Sequence, residues 1–243
     1  MSRVIWKPGT FLYPLPVVMV SCGTMEKSNI ITVAWTGIIN TQKPMCYISV
    51  RKERYSHDII QNTKEFVINL TSQDLVYATD WCGVKTGAKV DKFKEMKLTK
   101  EKASHVKCPL IKESPVAIEC KVKEIRSLGT HDMFIAEIVS IDADEKYIDK
   151  TGAFDITKCN LIAYSNGKYF VLGKQVGKFG YSVQKKKIVP KQKRNTKNET
   201  NKKIEESQNN KIKQKSKVAT KVKASLKNKD NIRNRKNKKT KTN

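Results

Sequence analysis

Between Asn29 and Ser56 the chain sets hydroxyl side chains along two strand patterns and ends the second on arginines, a distribution suited to gripping a phosphorylated ligand. The first pattern is Ile30-Ile31-Thr32-Val33-Ala34-Trp35-Thr36 and the second is Met45-Cys46-Tyr47-Ile48-Ser49-Val50-Arg51. Strand side chains alternate faces. Thr32, Ala34 and Thr36 are therefore expected opposite Ile31, Val33 and Trp35, and Tyr47, Ser49 and Arg51 opposite Cys46, Ile48 and Val50. Beyond them Arg51-Lys52-Glu53-Arg54-Tyr55-Ser56 places two guanidiniums ahead of a serine that can cap a helix from Ser56 to Asn62. Forked guanidiniums and helix-terminal amides are two of the groups that proteins turn toward phosphate. Asp58 opposes a dianion there, although an acid in a first turn also complements the helix dipole. By pattern alone, Thr32, Thr36, Tyr47 and Ser49 are most simply the solvated face of an antiparallel pair.

Two other residue types could do chemistry. His131 stands alone in Gly129-Thr130-His131-Asp132, where a histidine reads first as a turn or surface residue. Its imidazole could nonetheless donate a hydrogen bond or a proton near neutral pH. Six cysteines (Cys22, Cys46, Cys82, Cys108, Cys120 and Cys159) are scattered without a Cys-x-x-Cys pair or zinc spacing, so no metal ligand set is expected. Cys22, Cys46 and Cys120 fall inside strand patterns and read as small buried hydrophobes. Cys82, at a helix end before Gly83, gains no thiolate support from the dipole and reads as a packing residue.

The elements that must position these groups are mostly strands. Candidates run from residues 17–22, 30–36, 45–51, 66–70, 117–125, 134–141 and 169–172, rich in β-branched and aromatic residues with turn residues between them. The connector Gly37 to Pro44 predicts a hairpin joining the first two marked strands. A second helix follows Thr71-Ser72-Gln73-Asp74, carries Leu75, Ala78 and Cys82 on one face, and is expected to stop at Gly83. The Lys85 to Lys94 stretch reads as a surface loop. Few helices, many short strands and no βαβ alternation predict a mainly β fold, a barrel closed by antiparallel strands.

Composition divides the 243 residues in two. Residues 185–243 hold 23 Lys and Arg against four acids, with no glycine and no aromatic residue, whereas residues 1–184 carry a net charge of only +7. The second segment cannot bury enough apolar surface to offset its ordering entropy, so a disordered basic tail is expected there, after one domain of residues 1–184. Without aromatic residues for stacking, the tail suits nonspecific, salt-sensitive binding of nucleic acid or another polyanion, or no partner at all. Met1 to Pro16 lacks the apolar core of a secretory signal, and no run reaches the roughly 18 apolar residues of a membrane span. A cytoplasmic protein with reduced thiols is expected.

Several stretches, in order, resemble the flavin reductase family and specifically its flavoredoxin-like branch. They are Asn29-Ile-Ile-Thr-Val-Ala-Trp-Thr-Gly37, Lys43-Pro44, Arg51-x-x-x-Tyr55-Ser56-x-x-Ile59-Ile60 and Glu65-Phe-Val-Ile-Asn69. Further on come Asp80-x-Cys82-Gly83-x-x-x-Gly87-x-x-x-Asp91-Lys92-Phe93, Leu128-Gly129-x-His131-Asp132-x-Phe134 and Leu172-Gly173-Lys174-x-Val176-Gly177-Lys178. The resemblance implies an FMN-binding split barrel, usually a homodimer, in which Thr32, Ala34, Trp35 and Thr36 lie against the flavin ring. It implies that Ser49, Arg51 and Ser56 hold the ribityl phosphate with Tyr55 and Asn29 nearby, and that His131 stands beside the nicotinamide or the acceptor. Lys52 and Lys178 could add positive charge. The implied activity is transfer of hydride from NADH or NADPH to bound FMN and of electrons to free flavin, a ferric complex or a protein. An FMN electron carrier with little NAD(P)H activity and a polyanion-binding protein working through its tail are the alternatives. No Gly-x-Gly-x-x-Gly is present, so the nicotinamide is expected to bind transiently over the flavin.

Overall fold

The computed structural model describes residues 2–184, so the disorder expected of residues 185–243 lies outside the described residues. The strands are β1 (Leu15–Pro16), β2 (Val18–Gly23), β3 (Ser28–Val33), β4 (Thr36–Asn40), β5 (Met45–Arg51) and β6 (Glu65–Leu70), then β7 (Lys100–Glu101) and β8 (Leu110–Ile111). The last four are β9 (Val116–Ser127), β10 (His131–Ala143), β11 (Ile162–Ser165) and β12 (Lys168–Val171). Three helices interrupt them: α1 (Tyr55–Thr63), α2 (Val76–Val84) and α3 (Lys92–Glu95). The first of two units into which the chain divides ends at Val176 and holds all of these strands and helices. Among the described residues no helix is long and apolar enough to cross a membrane.

Seven strands form one antiparallel sheet in the order β3-β2-β6-β9-β10-β5-β4. Its edge strands, β3 and β4, are consecutive in the chain with only Ala34 and Trp35 between them. The three steps from Val33 to Thr36 reach no more than about 11 Å, far less than the width of seven flat strands spaced about 4.8 Å apart. The sheet therefore curls until its edges meet. Among the described residues β3 forms no ladder with β4 or β5 at that seam, where the backbone N–H of Ser49 donates to the Trp35 carbonyl at 2.8 Å. The fold is a split barrel.

Period-two alternation fills the interior. Val18, Val20, Ile31, Val33, Ile48, Val50, Phe66, Phe134 and Cys120 face one another, and Ile60 anchors α1 among them. The opposite face of β2 and β3, through Met19 and Ile30, packs on Leu75, Ala78 and Cys82 of the α2 region and Phe93 of α3. All six cysteines are free and buried, which agrees with the reading of Cys22, Cys46 and Cys120 as small buried hydrophobes and of Cys82 as a packing residue.

Four sequence expectations are corrected. The strand expected from Ile30 to Thr36 breaks: Ala34 is buried after buried Val33, Trp35 turns outward, and Thr36 opens β4 at the other edge of the sheet. The hairpin consequently joins β4 to β5, while β3 pairs with β2. Ser56 does not cap α1, since the helix starts one residue earlier, at Tyr55, and its N-cap is Arg54, which makes no side-chain capping bond. Gly83 lies within α2 and does not stop it. A Cβ there would come within 3.2 Å of Thr32 Cβ, so the glycine serves the close approach of helix to strand.

Candidate functional site

The end of β5, the first turn of α1, the start of β3 and the segment after α2 enclose a cavity of about 350 Å³. Its walls are Asn29, Ile31, Arg51, Glu53, Arg54, Tyr55, Ser56, Lys85, Thr86, Gly87 and Lys92. Four cations therefore face one acid. That volume falls within the range of small-molecule sites, roughly 300–1,000 Å³.

Position in the fold explains each wall. Arg51 ends β5 on its outward-facing register, and its Nε lies 2.8 Å from Glu53 Oε1 with both side chains more than half exposed. Arg54, extended at the N-cap of α1, reaches across to donate to the Gly83 carbonyl at 3.0 Å. The first turn of α1 lines the cavity through Tyr55 and Ser56, at the helix end where the first amides lack intrahelical partners. Buried Asn29 of β3 donates through Nδ2 to Ser56 Oγ at 2.7 Å, linking strand to helix. Gly87 runs against that same asparagine, and a Cβ there would lie 2.0 Å from Asn29 Oδ1. Only glycine lets the segment after α2 pass so closely.

Lys92 is 4% exposed, and its Nζ donates to the carbonyls of Ile30 and Cys82, both at 2.7 Å. Burial is the main cause that brings its ammonium down to about 8; the Cys82 and Cys22 sulfurs oppose the shift and the Arg54 charge adds to it. Burial likewise pushes the Cys22 and Cys82 thiols up to about 11.

Of the residues singled out in the sequence, the fold brings Asn29, Arg51, Tyr55 and Ser56 together in this cavity. The others do not line it. Thr32 spends its hydroxyl on the Thr79 carbonyl of α2, and Thr36 spends its hydroxyl on the Tyr47 carbonyl. Ser49 is half-buried beside Trp35, and Ala34 is buried. Trp35 and His131 form a second cluster, with ring centroids 6.4 Å apart and planes 26° from parallel. His131 pairs with Arg51 across the β10–β5 ladder, so this cluster adjoins the cavity's arginine. Its Nδ1 lies 2.9 Å from Thr130 Oγ1, which leaves Nε2 for a ligand.

Sequence reasoning passed over two features. The Lys85 to Lys94 stretch supplies a wall of the cavity and its most buried cation; the signal was Gly87 followed by Asp91-Lys92-Phe93. His57 is buried, with Nε2 2.9 Å from Asp132 Oδ2 and Nδ1 3.0 Å from Asp58 Oδ1. Burial acts to raise the Asp132 carboxyl, but His57, Ser127 and Lys52 outweigh it and hold the group below the usual value. This pair ties the first turn of α1 to the strand that carries His131.

Comparison with known proteins gives this geometry a family. A flavoredoxin of Desulfovibrio vulgaris (Miyazaki F) is 28% identical with a TM-score of 0.70, over 75% of this chain and 100% of that one. A flavoredoxin from Methanosarcina acetivorans is 27% identical with a TM-score of 0.68, over 76% of this chain and 100% of that one. An uncharacterized protein of Archaeoglobus fulgidus is 29% identical over 160 residues, which are 66% of this chain and 89% of that one. Residues 10–173 match the family model of the flavin reductase like domain, a span holding every strand and helix of the barrel and its cavity, and the chain belongs to that family.

Proposed function

We propose that this chain binds FMN and works as an oxidoreductase that accepts hydride from NADH or NADPH and passes electrons to free flavin, a ferric complex or a protein. The observation that carries the reading is the cationic cavity at the first turn of α1, adjoining the Trp35–His131 pair in a flavin reductase-like barrel. The donor set fits a terminal phosphate: two guanidiniums, unpaired helix-terminal amides and the hydroxyl of Ser56. Bound FMN supplies the chemistry of the site, taking up two electrons and a proton and releasing electrons singly or in pairs.

The chain's own residues account for the remainder. Arg51 and Ser56 would hold the phosphate, with Asn29 and Tyr55 beside them. Thr32, Ala34, Trp35 and Thr36 would border the ring, with half-exposed Trp35 shielding it from water. His131, its Nδ1 fixed on Thr130, presents Nε2 to the nicotinamide or the acceptor and holds or donates a proton there. A homodimer fits the exposed apolar side chains of Trp35, Ile38 and Ile39 on and just before β4, which is an edge strand of the sheet among the described residues.

A carrier that moves electrons between proteins with little NAD(P)H activity is the second reading, favoured by the two flavoredoxin structures that resemble this chain. Anaerobic addition of NADH or NADPH to the FMN-loaded protein separates the two. Rapid bleaching of the flavin band, slowed in His131→Ala at unchanged flavin content, is expected of the reductase. No bleaching by either nucleotide leaves the carrier, and an unchanged rate in the variant removes His131 from the chemistry.

A further inference from the structure

His131 is the first residue of β10 and follows directly on the turn Leu128-Gly129-Thr130, where Gly129 takes a φ of +79°. On the β5 side it pairs with Arg51, but on the β9 side the register begins only at Asp132 opposite Ser127. The Leu128 N–H closes the turn on the His131 carbonyl at 2.8 Å. Those backbone bonds place the main chain of His131. The tilt of the strand end, and with it the aim of the ring, depends on what holds the residues that follow.

Asp132 and Phe134 supply the hold. Successive strand side chains leave on opposite faces, so both point inward while His131 points out toward Trp35. Asp132 is 8% exposed, and its Oδ2 lies 2.9 Å from Nε2 of His57, itself 4% exposed. An ionised carboxylate only accepts, so Nε2 is the donor. The edge of the same imidazole meets Phe134, with ring centroids 5.4 Å apart and planes at 68°. One buried ring on α1 thus grips two residues of a single face at the start of β10. Two more charged groups face this pair. Asp58 Oδ1 lies 3.0 Å from His57 Nδ1, and Lys52 Nζ lies 3.5 Å from Asp132 Oδ1, but both side chains are about half exposed or more. The dry contact is that between His57 and Asp132, where water competes least with a charge-assisted hydrogen bond.

We propose that His57 is a positioning residue for His131: by fixing Asp132 and Phe134 from inside the barrel, it keeps the His131 imidazole stacked on Trp35 with Nε2 available to the nicotinamide or the acceptor. The role rests on the reductase reading above. His57 does not line the cavity, and its influence passes through Asp132. The two residues then act as one unit, and losing either has the consequence of losing both.

The test mixes full-length, FMN-loaded protein rapidly with saturating NADH or NADPH. It compares the parent with His57→Phe, Asp132→Ala, the double variant and His57→Gln, whose amide nitrogen can donate to Asp132 where the imidazole did. Spectra of ring-15N-labelled histidine follow His131 directly, since the chain has only three histidines and His131→Ala identifies the signal. Each of the first two variants should slow flavin bleaching about tenfold or more, the cost of a small misplacement. The double variant should be no slower than either, and His57→Gln should stay near the parent. The His131 signal should move in His57→Phe and Asp132→Ala but not in His57→Gln. Unchanged rates, losses that multiply in the double variant, or an unmoved His131 signal would reduce His57 to a strut between α1 and β10. Should His57→Phe fail to fold, Asp132→Asn, which keeps the shape and removes the charge, is read in the same two ways with the same expectation. If neither nucleotide bleaches the parent, the reductase reading falls and the spectra alone decide: a His131 signal displaced as expected upholds the positioning, and an unmoved one overturns it.

Discussion

Arg51 shows how a residue can be placed for a ligand without being committed to one. Its pairing with Glu53 joins two side chains that are more than half exposed, and such pairs contribute only about 0–1 kcal/mol. The guanidinium can leave that partner for a phosphate at little cost. Losing a charge-assisted contact of about 1.5–3 kcal/mol should lower FMN affinity roughly tenfold or more in Arg51→Ala. Riboflavin affinity should stay as it is. Fluorescence titration with both flavins checks this, and an equal loss for the two would mean that Arg51 supports the ring or the fold.

At the scale of elements, β9 and β10 do more than form the longest ladder. Glu119 of β9 is fully buried and accepts from the backbone N–H groups of Ser104, His105 and Val106 at 2.8, 2.6 and 2.9 Å, pinning the segment between β7 and β8 to the sheet. Asp142 of β10 lies one step away across the ladder, where Ser140 pairs with Glu119 and Asp142 with Ala117. As two carboxylates, neither could donate to the other, and Asp142 Oδ2 would be buried without a partner. A proton shared between them would supply the missing donor. Burial first, then Glu119, pushes the Asp142 carboxyl up to about 6. Because the folded value lies above the unfolded one, the folded state binds the extra proton between about pH 4 and 6. The associated stability is present below that window and lost as pH rises through it. Asp142→Asn, which keeps a donor without the charge, should flatten the decline and raise Tm by a few degrees near pH 7.5, with no gain near pH 4. Melting curves across that range test it, and parallel curves for the two proteins would rule out the shared proton.

For the molecule as a whole, charge and fold separate. The net charge is +26, of which residues 185–243 contribute +19, yet the compact unit closes at Val176. Truncation after Gln184 removes none of the strands or helices that form the barrel and its cavity. We expect the truncated protein to keep its flavin affinity and its melting temperature within a few degrees. It should lose salt-sensitive binding to heparin or DNA, since neutralised phosphates dominate such affinity. Thermal melts, flavin titration and salt-dependent retention on heparin give the answer. Lost flavin would place residues beyond Gln184 in the site.

What the sequence determined by itself was the local layer. Apolar and β-branched runs marked β2, β5, β6, β9 and β10, because a strand in a sheet buries at least one face whatever its neighbours are. The arginines before Tyr55-Ser56 marked a cationic turn at a helix start, which does line the cavity, because an arginine pair and a helix start are legible within six residues. The break at Ala34–Trp35 was not legible. No local preference forbids a strand there, and only closure of the barrel forces the chain from one sheet edge to the other. Lys92 was equally hidden. In sequence it is one lysine among many, and its burial depends on carbonyls 62 and 10 residues away being brought to one point. Tertiary structure decided which cations lie inside, since burial belongs to the packed elements and not to the stretch of chain that carries the residue.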